Sequence, residues 1–165
     1  MTQVTMRPAQ HGELATVEAL LTEVSAWLAR RGSDQWQFPP HRARITSAIE
    51  HGECFLAEAD GVPIGTITVD DHADPEFWAT EDRPDDALYV HRMAVTRKAS
   101  GAGVGAFMLD WASKRATDAG KTWLRLDAWR TNEGLHEYYR SQGFTMVRIV
   151  SLDHRKSGAL FQRRA

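Results

Sequence analysis

Three glycines stand at alternate positions within residues 97–106, RKASGAGVGA. Glycine loses more backbone entropy on folding than any other residue, so such a cluster is kept where the main chain must be bare and closely approached. Backbone N–H groups left free at the first turn of a helix point at one spot, and the helix dipole adds about half a positive charge there. An anion such as a phosphate can then be held without a side-chain cation. The same glycines can instead end a strand in a flexible turn. Gly101, Gly103 and Ala106 also satisfy G-x-G-x-x-A, the dinucleotide fingerprint, with Asp127 about where a ribose-binding acid is sought. Against that pattern, TRKAS separates the preceding apolar run from the first glycine, and the chain beyond Asp127 is too short for the rest of a doubly wound sheet. A Walker loop is excluded because no Gly-Lys-Ser/Thr follows.

Composition narrows the chemistry. The 165 residues carry 20 Lys and Arg against 22 Asp and Glu, a formal charge of −2, so the basic excess typical of nucleic-acid binding is missing. The single cysteine, Cys54, rules out an intrachain disulfide and a cysteine-rich zinc site. Flanked by Phe55 and Leu56, it reads as a small buried apolar residue. No apolar run approaches the ~18 residues of a membrane helix, and the first residues, MTQVTMRPAQ, have no signal-peptide core. A cytoplasmic protein with no nucleic-acid, membrane or metal partner is expected.

The elements that must position these groups follow from periodicity. A short strand from Val4 to Arg7 is stopped by Pro8, and Leu14, Val17, Leu21, Val24 and Leu28 recur at helical steps. Ile45 and Ile49 mark a second helix ending near Gly52. CFLAEADGVPIGTITV reads as two antiparallel strands joined at Asp60-Gly61, a strong hairpin signal. A long polar loop follows, with Asp70, Asp71, Asp74, Glu76, Glu81, Asp82, Asp85 and Asp86 opposed only by Arg83. The run from Leu88 to Val95 leads into the glycines, and Val104, Phe107, Met108, Trp111 and Ala112 form one helical stripe behind them. TWLRLDAW then reads as a strand, NEGLHEYYRSQ as a helix, and FTMVRIVSL and ALFQRR as closing strands. The order β-α-α-β-β-β-α-β-α-β-β implies one α+β domain over residues 1–165, with a mixed, mostly antiparallel sheet flanked by helices.

In that order, LYVHRMAV, GAGVGAFML, WLRLDAW and NEGLHEYYRSQGF resemble the GCN5-related N-acetyltransferase (GNAT) family, and the likeness runs from MRPA to the last strands. The family's loop, Arg or Gln then x-x-Gly-x-Gly/Ala, aligns with Ser100 to Gly105. Its Asn, with Tyr seven residues on and Gly-Phe eleven and twelve on, fits Asn132, Tyr139, Gly143 and Phe144. Ser100 departs from the pattern, where Arg or Gln is usual. The backbone donors survive that change, and Arg97 or Lys98 is then the candidate source of charge.

The resemblance implies acetyl-CoA as co-substrate, no metal, and transfer of acetyl to a small-molecule amine in a ternary complex. It implies cofactor contacts from Ser100, Gly101, Gly103, Val104 and Gly105 to the pyrophosphate, from the backbone of Met93 and Val95 to the pantetheine arm, and from Asn132. Tyr139 falls at the proton-donor position. A phenol near pKa ~10 protonates a thiolate whose acid is near ~8.5 only uphill, which favours a hydrogen bond to sulfur. Asp127 is the first candidate for the base and His91 the second, with an ordered water chain or an acid of the Asp70 to Asp86 loop as alternatives. His91 and Trp36 are candidate acceptor contacts, and the acid-rich loop suggests a cationic acceptor. A plain helix N-cap is an equal reading of Asn132. Other functions compatible with the residues are a non-catalytic acyl-CoA-binding module and a dinucleotide-binding oxidoreductase. A monomer or a homodimer is expected.

Overall fold

The structure, a computed structural model, describes residues 3–33 and 41–165. Trp36, expected at the acceptor, lies outside the described residues. The elements are β1 (Val4–Pro8), α1 (Leu14–Arg30), α2 (Arg42–Glu50), β2 (Cys54–Ala59), β3 (Val62–Asp70), β4 (Ala87–Val95), α3 (Val104–Asp118), β5 (Trp123–Trp129), α4 (Glu133–Ser141), β6 (Thr145–Ile149) and β7 (Ser157–Arg164). Short 3-10 turns precede α1, β4 and the glycines. The order is the one that periodicity implies, and the strands form a mixed seven-stranded sheet, β1-β2-β3-β4-β5-β7-β6.

Two compact units share this chain: Met1–Val69 with Arg92–Met108, and Asp70–His91 with Leu109–Ala165. In the first, β1, β2 and β3 pair antiparallel. Asp60 and Gly61, at φ 53° and 75°, make the tight turn that the Asp-Gly pair announces. The apolar stripe of α1, with Val17, Leu20 and Leu21 buried, packs with Ile45, Ala48 and Ile49 of α2 and with Cys54 and Leu56 of β2. Each such aliphatic side chain contributes roughly 1.5–3 kcal/mol on full burial. In the second unit, β5 pairs in parallel with β4 over Ala87–Val90 and antiparallel with β7, which also takes β6 on its other side.

The four α-helices among the described residues stop by one device. Gly32, Gly52, Gly120 and Gly143 have φ between 69° and 84°, and the residue after each sends its N–H back to a carbonyl five positions earlier, as Ser33 does to Leu28 (3.0 Å). That pair of features is a Schellman motif, which satisfies carbonyls the helix end would otherwise leave open.

The acid-rich segment departs from the polar loop implied by composition. Phe77 and Trp78 are buried with Ala87, Tyr89 and Leu160. Arg125, only 3% exposed, donates to the carbonyls of Asp82 (2.6 Å) and Arg83 (3.3 Å), to the Tyr89 hydroxyl and to Gln162 Oε1. Its guanidinium also lies 4.8 Å from the Trp78 ring centroid. Several acids have partners: Asp82 is ion-paired with Arg148 and Asp74 with Arg155, while Glu76 is hydrogen-bonded with His154 and Asp70 with His91. Arg148 and, against burial, Arg155 hold the Asp82 and Asp74 carboxyls below their ordinary range. The segment is therefore anchored by side chains from β4, β5, β6 and the β6–β7 connection. Asp71, Glu81 and Asp85 remain exposed.

Candidate active site

The glycine loop belongs to the first unit. Thr96 N–H donates to Ile64 O (2.8 Å), and a 3-10 turn over Arg97–Ala99 then carries the chain to Gly101 and Gly103, at φ 81° and 79°. These angles suit glycine and strain a side-chain-bearing residue by about 1–2 kcal/mol. A Cβ placed on either glycine meets nothing within 4 Å, so conformation rather than crowding requires them. The first bond closing α3 runs from Phe107 N–H to Gly103 O (3.0 Å). Among the described residues, no acceptor takes the N–H groups of Gly101, Gly103, Val104 or Gly105. That is the donor set an anion such as a phosphate needs. Ser100 is exposed beside it. Arg97, considered as a charge source, is committed elsewhere: its guanidinium sits 3.8 Å from the Trp27 ring centroid.

The strand leading into this loop is irregular. Arg92, between His91 and Met93, has φ 48°, a left-handed conformation rare for a residue with a side chain and found where structure overrides local preference. The alternation of β4 is broken there, ahead of the main-chain groups of Met93 and Val95.

The remaining candidates lie in the second unit. Asn132 is the N-cap of α4, its Oδ1 accepting the Leu135 N–H (3.0 Å). At the other end Phe144 N–H bonds Tyr139 O (3.1 Å) and Gly143 N–H bonds Arg140 O (3.0 Å). The Tyr139 and Phe144 rings meet edge to face at 5.7 Å, the apolar contact that accompanies a Schellman motif. The spacing of Asn132, Tyr139, Gly143 and Phe144 is thus that of one short helix capped at both ends. The two readings of Asn132 are compatible, since the cap is present whatever else it touches.

Tyr139 is 7% exposed, packed on Tyr138, Phe144 and Phe161. Its hydroxyl makes no hydrogen bond to a described residue. Burial, and then the neighbouring Tyr138 and Asp127, push its phenol well above the ordinary range. Asp127 is half-buried on β5 opposite Leu160 and accepts a hydrogen bond from the Ser157 hydroxyl. Asp127 and Tyr139 therefore share one electrostatic neighbourhood. His91 Nε2 bonds Asp70 Oδ1 at 2.9 Å, and that carboxylate also takes the His72 N–H (3.0 Å).

Two residues escaped the sequence reading. His136 is buried and bonds Trp129 O through Nε2 (2.8 Å), tying α4 to the irregular end of β5. Only its place one turn before Tyr139 on the apolar face hinted at this. Glu23, on the polar side of α1, accepts from Thr96 and Arg97; the separation of more than seventy residues hides that link from any local pattern. Cys54 is 1% exposed beside Thr66, and burial pushes its thiol up, which suits a packed residue and not a nucleophile. A cavity of about 350 Å3 lined by Thr16, Ala19, Leu20, Glu23, Pro63 and Thr96 contains none of the residues singled out from sequence.

Comparison with known proteins supplies the class. The model of the acetyltransferase (GNAT) family matches residues 21–144, which makes this an acyltransferase. The chain belongs to the GNAT family of N-acetyltransferases. It is 31% identical over 146 residues to the uncharacterized N-acetyltransferase YesJ of Bacillus subtilis strain 168, covering 85% of this chain and 81% of that one. A GNAT acetyltransferase structure from Listeria monocytogenes is 26% identical with a TM-score of 0.77, covering 98% of this chain and 95% of its own. The PaiA N-acetyltransferase of Thermoplasma acidophilum, solved with coenzyme A, shares the fold at 15% identity and a TM-score of 0.74, with 99% of both chains covered. No helix among the described residues is long and apolar enough to cross a membrane.

Proposed function

We propose that this chain, acting as a single N-acetyltransferase domain, moves the acetyl group of acetyl-CoA directly to the primary amine of a small molecule while both substrates are bound. The observation that carries the reading is the set of N–H donors at Gly101, Gly103, Val104 and Gly105, with no acceptor among the described residues, at the start of α3. These donors hold the pyrophosphate, with Ser100 beside them, and the main chain of Met93 and Val95 takes the pantetheine arm. Asn132 orders the turn from β5 into α4 and contacts the cofactor there. The thioester supplies an activated acetyl group and a thiolate leaving group.

Tyr139 donates a hydrogen bond to the sulfur as its charge develops, a role favoured by a phenol that stays protonated. Asp127, oriented by the Ser157 hydroxyl, receives the amine's proton directly or through water. A specific observation favours a second base. His91 is held by Asp70, and a histidine fixed through one ring nitrogen by a carboxylate is a common way to orient a general base. His91 borders the acceptor in either assignment.

Thiol release from acetyl-CoA, measured over a panel of amines, tests the function. Intersecting initial-velocity patterns are expected, and tight CoA binding without turnover on any amine would instead mark a binding module. For the base, Asp127→Asn and His91→Gln are compared: the substitution that removes the acidic limb of the kcat/KM profile identifies it. Retention of that limb in both would remove both assignments.

A further inference from the structure

The loop that carries the glycines is held at its root by a helix far away in sequence. Glu23, half-buried on α1, accepts the Thr96 hydroxyl at 2.9 Å (Oε1) and 3.0 Å (Oε2), and its Oε2 accepts the Arg97 N–H at 2.7 Å. Arg97 opens the 3-10 turn over Arg97–Ala99, so its N–H is one that the turn itself leaves unpaired. Thr96, the residue preceding the turn, makes no capping bond with its own side chain. Glu23 therefore does from another element what an N-cap side chain ordinarily does from within. One helical turn further along α1, Trp27 takes the Arg97 guanidinium at 3.8 Å from its ring centroid, with Arg31 at 4.8 Å. The main chain and the side chain of Arg97 are thus both fixed by α1, four residues before the first glycine.

We propose that Glu23 is a positioning residue for coenzyme A: by capping the turn over Arg97–Ala99 from outside, it sets the direction in which the Gly101–Gly105 N–H groups point. This rests on the reading of that loop as the pyrophosphate site. The role has a distinct consequence. Glu23 holds the root of the loop that carries the pyrophosphate donors, so its loss weakens ligands that carry a pyrophosphate far more than those that lack one.

The test compares Glu23→Ala, Glu23→Gln and Gly103→Val by calorimetric titration with coenzyme A and with pantetheine, and by kinetics with acetyl-CoA and acetyl-pantetheine on the best amine of the panel. A charge-assisted bond to a turn N–H, lost in part to water, corresponds to about a tenfold change in binding. Glu23→Ala should raise the coenzyme A Kd and the acetyl-CoA KM about tenfold, with less than a twofold change in kcat and in pantetheine affinity. Glu23→Gln, which keeps an acceptor oxygen for the Arg97 N–H, should recover most of the loss. Wild-type coenzyme A affinity in Glu23→Ala, with affinity lost in Gly103→Val, overturns the role of Glu23 and leaves the loop reading standing. Equal losses for coenzyme A and pantetheine overturn it too, because they mark general disruption. Unchanged affinity in Gly103→Val removes the loop reading itself, and the proposal with it.

Discussion

Replacing Tyr139 by Phe deletes one oxygen from a side chain that is almost wholly buried and whose hydroxyl bonds no described residue. No partner is orphaned by the change, so folded stability should move by less than about 1 kcal/mol. Turnover should respond very differently. Burial, with Tyr138 and Asp127 adding to it, lifts the phenol above its ordinary value of 10.0, whereas a leaving thiol sits near ~8.5. Proton transfer from phenol to thiolate is then uphill by at least ~1.5 units, about 2 kcal/mol, and by more as burial raises the phenol further. What remains available is a hydrogen bond to a charged acceptor, about 1.5–3 kcal/mol, or roughly 10- to 100-fold in kcat. Thiol-release kinetics should show that loss in kcat with KM for acetyl-CoA nearly constant. A raised phenol keeps its proton at low and neutral pH and loses it only as pH rises through the folded value. The Tyr139 contribution is therefore constant below pH ~10, and no alkaline limb under that pH belongs to it. Wild-type turnover in Tyr139→Phe, or an alkaline limb near pH ~8.5 that the substitution abolishes, would refute the reasoning.

Direct transfer predicts that Cys54→Ser stays active, and recovery of an acetylated Cys54 competent to form product would contradict this. Arg125→Met should cost about 2–4 kcal/mol, since the carbonyls of Asp82 and Arg83 lose a buried partner, and it should speed amide exchange across residues 74–86; exchange at the wild-type rate would deny the anchoring role. The Arg7 hydrogen bonds and the Gln10 N–H hold the Glu13 carboxyl down to about 2, against an ordinary 4.5, so this contribution is complete above pH 4.5 and is lost as pH falls toward 2. For a pair near the surface that is roughly 1–2 kcal/mol after solvent screening, and Arg7→Met should flatten the slope seen in acid unfolding. If acids steer a cationic acceptor, the exposed ones do so: Asp71→Asn, Glu81→Gln and Asp85→Asn together should remove the fall of kcat/KM with rising salt for a diamine. Asp82→Asn instead tests folding, because Asp82 is held by Arg148.

Residues that act within one turn of chain were legible without a structure. The α1 stripe, the Asp60-Gly61 hairpin, the glycine loop opening α3 and the Asn132 to Phe144 spacing all express local rules: helical period, left-handed turns, and caps that close on residues a few positions away. The family likeness rested on the same local motifs in their order. What sequence order could not supply were partners separated by many residues. Composition made residues 70–86 a polar, acid-lined loop, yet Arg125, Arg148 and Arg155 turn it into an anchored segment. Nothing near Ser157 in sequence points to Asp127, nor anything near Thr96 to Glu23. The left-handed Arg92 is likewise invisible, since arginine has no preference for that conformation. The insertion of β7 between β5 and β6 follows from long-range hydrogen bonding, for which a strand's own alternation carries no address. Local physics wrote the motifs into the chain; the charges and backbone angles that tune them depend on which distant segments folding brings alongside.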